Sequence, residues 1–225
     1  MIRCVPLLMV LLAAACSRGE APAISETSCG IPASSIGQFV SMPGGSFTKG
    51  ASPVYSEEAP TLALHVAPFA LQAHEVTNDQ FAAFVSATGY VTDAENSAAA
   101  GGPGAGSAVF DLPEGSAARI DPWRLVPGAT WKTPTGPGSD GFAGAAPVGC
   151  FPRDKAGLYD MIGNVWEWTD TPYAAGSHTL KGGSYLCADN FCRRYRPAAR
   201  QPQDTDFSSI HIGFRIAKDV APASE

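Results

Sequence analysis

The sequence predicts an α+β domain with little regular secondary structure: one short capped helix, several short strands and long ordered loops. Three observations carry this. Period-two alternation recurs only in short runs, one segment has helical periodicity with a signal at each end, and 24 glycines and 19 prolines punctuate the rest. Hydrophobic residues make up 45% of the chain and charged residues 16%, a balance that suits a packed core and argues against disorder. The net charge is −6 and basic residues cluster only between Arg193 and Arg200, so nothing points to a nucleic-acid partner.

The N-terminus reads as an export signal. Arg3 precedes an apolar run of eleven residues, Val5 to Ala15, which ends in Ala13-Ala14-Ala15-Cys16. Such a run is too short to cross a bilayer, which takes about 20 residues. The arrangement is that of a bacterial lipoprotein signal: residues 1–15 are removed and Cys16 carries the lipid. The expected protein is then exported, periplasmic and membrane-anchored, an ordinary secretory signal being the alternative. Residues 16–37, small and polar, form a tether. The domain is expected over 38–218, with a tail at 219–225.

Phe39-Val40 leads into Met42-Pro-Gly-Gly-Ser-Phe47, which reads as a strand, a tight glycine turn and a second strand. Leu62, Leu64 and Val66 alternate with Ala63 and His65, and Phe69 and Leu71 continue the pattern, predicting a half-buried strand with His65 on its outer face. Thr77-Asn-Asp-Gln80 is a capping box. Phe81, Phe84 and Val85 follow at helical spacing and Gly89 supplies the stop, so residues 78–88 form a helix whose aromatic stripe faces the core. Residues 94–118, rich in alanine and glycine, are expected to be a surface loop. Residues 122–144, dense in proline and glycine around Trp123 and Trp131, are a second irregular segment. Ile210, Ile212 and Phe214 alternate with His211, Gly213 and Arg215 in a closing strand.

Two stretches carry candidate chemistry. Between Leu158 and Trp168, apolar residues surround Asp160, Asn164 and Glu167; carboxylates and carbonyls beside Gly163 suit calcium, a capped turn with solvated acids being the plainer alternative. Cys187 and Cys192 stand five apart, between Gly182-Gly183 and the arginines 193, 194, 196 and 200. Nearby guanidinium favours thiolate, and two soft sulfurs with no histidine between them suit Cu(I) better than calcium, magnesium or iron. A local disulfide is equally compatible with an exported chain. With Cys4 in the signal and Cys16 lipidated, Cys29 and Cys150 remain, and spacing does not decide whether they pair.

Several ordered motifs together resemble one family. GLYDMIGNVWEW (157–168), KGGSYLC (181–187), CRRYRPAAR (192–200) and HIGFR (211–215) are similar to segments of the formylglycine-generating enzymes, the sulfatase-modifying factor family. MPGGSFTKG (42–50), HEVTNDQFAAFV (74–85) and Ser86 with Thr88 to Glu95 match as well. The resemblance implies a C-type-lectin-like α+β fold with bound calcium. It also implies an activity: oxidation by dioxygen of the cysteine in a Cys-x-Pro-x-Arg motif of sulfatases to formylglycine. By the same resemblance Cys187 and Cys192 bind Cu(I), Ser184 is the active-site serine and Trp166 lines the site. Glu75 and Arg194 meet the substrate peptide. Asp160, Glu167 and the carbonyls of Gly163 and Val165 form one calcium site, and Asp140 and Phe142 match half of another.

The departures are specific. Ala188 and Phe191 stand where the family often has histidine and tyrosine, and Asp160 stands for a common asparagine. Residues 128–138 resemble an early part of the family domain and residues 140–142 a much later one. A Trp-x-Asp-Ala helix and an Arg-Leu-Pro-Thr-Glu-Ala-Glu-Trp-Glu motif that normally lie between are absent. The alternative function is therefore a non-catalytic, lectin-like accessory lipoprotein. A non-haem iron oxygenase would need clustered histidines, and His65, His74, His178 and His211 are dispersed along the chain.

Overall fold

The structure, a computed structural model, describes residues 29–100, 106–110, 121–132, 144–187 and 192–220. Cys29, at the start, is disulfide-bonded to Cys150 across 121 residues. Strand β1 (Phe39–Met42) pairs antiparallel with β4 (Phe69–Gln72), whose other edge takes β11 (Ala217–Asp219), so one sheet ties the two ends of the domain together. Between them, β2 (Gly45–Lys49) and β3 (Leu62–Val66) form a separate ribbon. The glycine turn redirects the chain from one sheet to the other. At Gly44 φ is +71° and a Cβ would lie 2.5 Å from the Val66 carbonyl oxygen, so only glycine fits.

The half-buried strand expected at 62–66 is corrected. All of β3 is exposed, Leu62 by 41% and Leu64 by 39%, because no third strand joins the ribbon among the described residues.

Helix α1 (Asn78–Thr88) starts and stops where expected. The Thr77 hydroxyl accepts from the Gln80 amide (3.2 Å), the Gln80 side chain accepts from the Thr77 amide (3.1 Å), and Gly89 ends the helix in the left-handed region. Its stripe is not closed core. Phe81 meets Tyr90, Trp131 and Phe214 edge-on, but Phe84 is 45% exposed and no helix residue is fully buried.

The loop expected over 94–118 is also corrected. It contains helix α2 (Asp93–Ala100) and strand β5 (Ser107–Phe110), which pairs with β6 (Trp123–Val126). Ala94, Ala108 and Val109 are buried. Alanine forms helix without needing an apolar stripe. A second capping box fixes the start of α2: Thr92 Oγ1 accepts from the Glu95 amide (3.2 Å), and Glu95 Oε2 accepts from the Thr92 amide (3.1 Å).

The main sheet runs β10-β7-β8-β9, from β7 (Trp166–Ala174), β8 (Ser177–Lys181), β9 (Gln201–Asp204) and β10 (Ile212–Gly213); only the β7–β10 pair is parallel. Leu180, Ala199, Trp166 and Leu158 are the core it covers. The closing strand is shorter than its alternation suggests and lies polar side in: His211 and Arg215 are buried, whereas Phe214 and Ile216 are exposed. Hydrogen bonds make that burial tolerable. Few helices and many short strands give the α+β class the sequence predicts.

Candidate active site

Arg215 is the hub of a buried acid cluster. Its Nε lies 3.1 Å from each Glu167 oxygen, its Nη2 donates to Glu167 Oε1 (2.6 Å) and to the Tyr159 carbonyl (2.9 Å), and its Nη1 donates to the Gln72 carbonyl (3.2 Å). Glu75 Oε2 lies 3.9 Å from the same guanidinium. Burial, with the negative charges of Asp160 and Glu167 beside it, pushes Glu75 up to about 8; burial also raises Asp160. Two buried oxygens, Glu75 Oε2 and Asp160 Oδ1, have no hydrogen-bond partner. Asp160 Oδ2 accepts from the Gly149 amide at 2.7 Å, next to the Cys29–Cys150 disulfide.

Asn164 joins this cluster to the cysteine loop. Its Nδ2 donates to Glu75 Oε1 (3.2 Å), its Oδ1 accepts from the Ala146 amide (2.9 Å) and its carbonyl accepts from the Tyr185 amide (2.9 Å). Ser184 follows the Gly-Gly turn, and its carbonyl accepts from the Cys187 amide at 2.9 Å. Gly183 is where the two arms of the cysteine loop cross: a Cβ there would lie 2.9 Å from Tyr195 Cα. That close passage brings Cys187 Sγ and Cys192 Sγ to 2.7 Å, beyond disulfide length, with both thiols half-buried and free. The hydrogen bond from Cys187 lowers Cys192 to about 6, helped by the Arg194 amide and guanidinium. As donor in a partly buried place, Cys187 is pushed up.

A strap over residues 54–60 holds the second arm. The Tyr55 hydroxyl accepts from the Arg193 amide (3.2 Å) and the Arg194 guanidinium lies 4.2 Å from the Tyr55 ring. Arg194 Nε and Nη2 both donate to Glu57 Oε1, at 3.1 and 2.6 Å. Arg196 pairs with the fully buried Glu58, whose Oε2 accepts from the Val54 amide (2.6 Å). Arg200 donates to the Ala59 carbonyl (2.9 Å). The arginines that the sequence places beside the thiols are thus largely committed to this strap.

The predicted site residues fall into two groups. Cys187, Cys192, Ser184 and Arg194 belong to the cysteine loop. Glu75, Asp160 and Glu167 belong to the acid cluster, bridged to that loop by Asn164. Trp166 and Ser184 are each 2% exposed and Glu75 3%, so all three lie beneath the surface, while the Arg194 side chain is 28% exposed. The Gly163 amide donates to the Gly182 carbonyl (3.0 Å), and Val165 packs at Gly213. Asp140, Phe142, Ala188, Phe191 and Cys16, the residue expected to carry a lipid, lie outside the described residues. Sequence reasoning named Asn164 beside the acids without a role, and missed Arg215 and the Tyr55–Glu58 strap. Asn164 and Arg215 stand inside quoted motifs, whereas nothing local marks the strap.

Among the described residues no three His, Cys, Asp or Glu side chains converge on one metal position. Two facing thiols, one of them acidic, are the soft donor type that Cu(I) takes, but at 2.7 Å their sulfurs stand too close to hold it and must part to do so. Calcium is a partial fit. The free Asp160 oxygen suits it, whereas both Glu167 oxygens are held by Arg215, so backbone carbonyls would carry most of the coordination.

Residues 29–140 and 92–220 match the model of the sulfatase-modifying factor enzyme 1-like domain. The formylglycine-generating enzyme of Mycobacterium tuberculosis is 34% identical over 293 aligned positions, covering 81% of this chain and 98% of that protein. That of Thermomonospora curvata is 29% identical, covering 80% and 93%. The inactive C-alpha-formylglycine-generating enzyme 2 of Bos taurus is 38% identical over 112 residues, covering 44% of this chain and 37% of that protein. The mycobacterial alignment of 293 positions exceeds this chain's 225 residues, so that relative has a long internal stretch with no counterpart here. Two solved structures share the fold. PvdO from Pseudomonas aeruginosa has a TM-score of 0.53 at 22% identity, covering 81% of this chain and 94% of that one. Treponema denticola variable protein 1 has a TM-score of 0.50 at 16% identity, covering 80% and 94%.

Proposed function

Because the chain belongs to the sulfatase-modifying factor enzyme 1-like family, we propose that it is a copper-dependent formylglycine-generating oxidase. Its substrate is a sulfatase-type protein, and the residue changed is the cysteine of a Cys-x-Pro-x-Arg peptide. The observation that carries this reading is the free Cys187–Cys192 pair, with sulfurs 2.7 Å apart. When bound, Cu(I) supplies a soft centre for the substrate thiolate and for dioxygen, the oxidant.

The chain's own residues set the stage. Cys192 is the thiol that is ionised at neutral pH, and Arg194, pinned by Glu57 and Tyr55, stabilises that charge. Ser184 shapes the turn that presents Cys187, through its carbonyl and through its hydroxyl, which accepts from the Leu186 amide (3.3 Å). Arg194 is the candidate peptide contact at the surface; Glu75 supports the loop from below through Asn164. Trp166, 2% exposed at the start of β7, belongs to the fixed core behind the site. Holding the peptide's cysteine in one orientation lowers the entropic part of the barrier. The substrate's Cβ–H and S–H give up two electrons and two protons, which reduce dioxygen to hydrogen peroxide, and hydrolysis of the resulting thioaldehyde by one water releases hydrogen sulfide and leaves the aldehyde.

Calcium bound at Asp160, with the carbonyls of Gly163 and Val165 and a share of Glu167, would stiffen the turn beneath the loop; the supporting observation is the unpartnered Asp160 oxygen. Export and anchorage through a lipid on Cys16 complete the proposal. The test is incubation of the full mature protein with Cu(I), oxygen and a Cys-x-Pro-x-Arg peptide. An aldehyde found by mass spectrometry and trapped by hydroxylamine is the expected product. Its absence with copper loading confirmed counts against the oxidase.

One observation favours a second reading, a non-catalytic accessory module: the long internal stretch of the mycobacterial relative has no counterpart here. That reading holds if neither thiol takes up Cu(I) and both stay oxidised in cells.

A further inference from the structure

We infer that the open aromatic bowl between α1, the start of α2 and the β9–β10 connection binds an organic cation, an alkylammonium or guanidinium group. The bowl is an open depression of about 470 Å³. Six rings, Phe81, Phe84, Tyr90, Trp168, Phe207 and Phe214, line it. They stand as walls, not as a stack. Phe81 meets Tyr90 at 82° and Phe214 at 80° and lies at 32° to Phe84, so the rings turn faces and edges in several directions. Those faces are reachable, since Tyr90 is 48% exposed, Phe84 45% and Phe214 37%. A ring face carries negative quadrupole potential, so a cation laid over an exposed face is attracted to it.

Charge decides between this and a purely apolar occupant. Asp93 and Asp206 stand among the lining residues, both exposed, and no lysine or arginine lines the bowl among the described residues. Neither aspartate belongs to an ion pair among those residues. A neutral apolar segment would bring nothing to these carboxylates; a cation meets both the rings and the acids. The site uses neither thiol, so it stands apart from the oxidase reading.

The experiment titrates the full chain with choline and with its neutral isostere 3,3-dimethylbutan-1-ol, read by tryptophan fluorescence and saturation-transfer NMR. Choline is expected to bind at least about three-fold more tightly than the alcohol. Asp206→Asn, a surface change, and Phe84→Leu, which keeps bulk but removes the π face, are each expected to weaken choline about two- to five-fold. A parallel titration with acetyl-trimethyllysine and acetyl-arginine amides separates the sources: tighter binding than choline assigns the site to a peptide side chain, weaker binding to a free small cation. Equal affinity for choline and the alcohol, unchanged affinity in both variants, or no binding of any cation overturns the inference.

Discussion

Replacing Arg215 by methionine tests the acid cluster most severely. Methionine keeps most of the buried volume but removes five donor contacts, three to Glu167 and one each to the Tyr159 and Gln72 carbonyls. It also leaves Glu167 without its paired cation, near the raised acids Glu75 and Asp160, in a site where the arginine side chain is 2% exposed. Removing one partner of a buried pair costs about 3–5 kcal/mol, because the remaining charge stays desolvated. For a domain of this size each kcal/mol lowers Tm by roughly 2–4 °C, so the variant should melt at least about 6 °C lower. Arg215→Lys keeps the charge but not the planar fork and should fall between the two proteins. Adding Glu167→Gln to Arg215→Met should recover part of the loss, since it removes one stranded charge. Urea denaturation followed by tryptophan fluorescence reads these four proteins and the Glu167→Gln single variant that completes the cycle. A loss below about 1 kcal/mol for Arg215→Met, or strict additivity in the double variant, refutes the reasoning.

Further expectations concern pH, a cap and a staple. Glu75 holds its proton to about pH 8 in the folded chain, against 4.5 as its ordinary value, so between those limits the folded state binds a proton the unfolded state has released. Stability should therefore fall as pH rises through that window, by at most about 1.4 kcal/mol per pH unit, and Glu75→Gln should flatten the slope; parallel pH profiles for the two proteins would contradict this. Thr77→Ala should cost about 1 kcal/mol by removing the hydroxyl that accepts from the Gln80 amide, while Thr77→Ser should cost much less; equal melting of both variants argues against the cap. Reducing the disulfide, or Cys29→Ser with Cys150→Ser, should cost about 2–5 kcal/mol by freeing a 121-residue separation in the unfolded chain. Unfolding with and without reductant checks it, and coincident transitions deny the staple its role.

What could be read from sequence, and what could not, divides along physical lines. Helix α1 was legible to the residue because its signals are local: a capping box, an i, i+3, i+4 stripe and a terminal glycine. Helix α2 hid in an alanine-rich run where periodicity says nothing, although Thr92 and Glu95 spelled the same capping box. The exposure of Leu62 and Leu64 was not legible, since alternation says which residues share a face but not whether anything covers it. Period two misleads at 210–215 for a related reason. Arg215 is buried because Glu75 and Glu167, from distant positions in the chain, meet it, and no local pattern records that. In the candidate site, the spacing of Cys187 and Cys192 marked the thiols, and Gly182-Gly183 marked the turn. Tyr55, Glu57 and Glu58, the partners of the arginines beside the thiols, lie about 137 residues away in sequence, so only the fold could introduce them.

The most direct test of the central claim is Cu(I) stoichiometry in the purified mature protein, measured by competition with a chromogenic chelator under anaerobic conditions. The free, facing thiols predict one Cu(I) per chain, lost in Cys192→Ser and in Cys187→Ser. No copper bound by the reduced protein, or undiminished binding in either serine variant, contradicts the account.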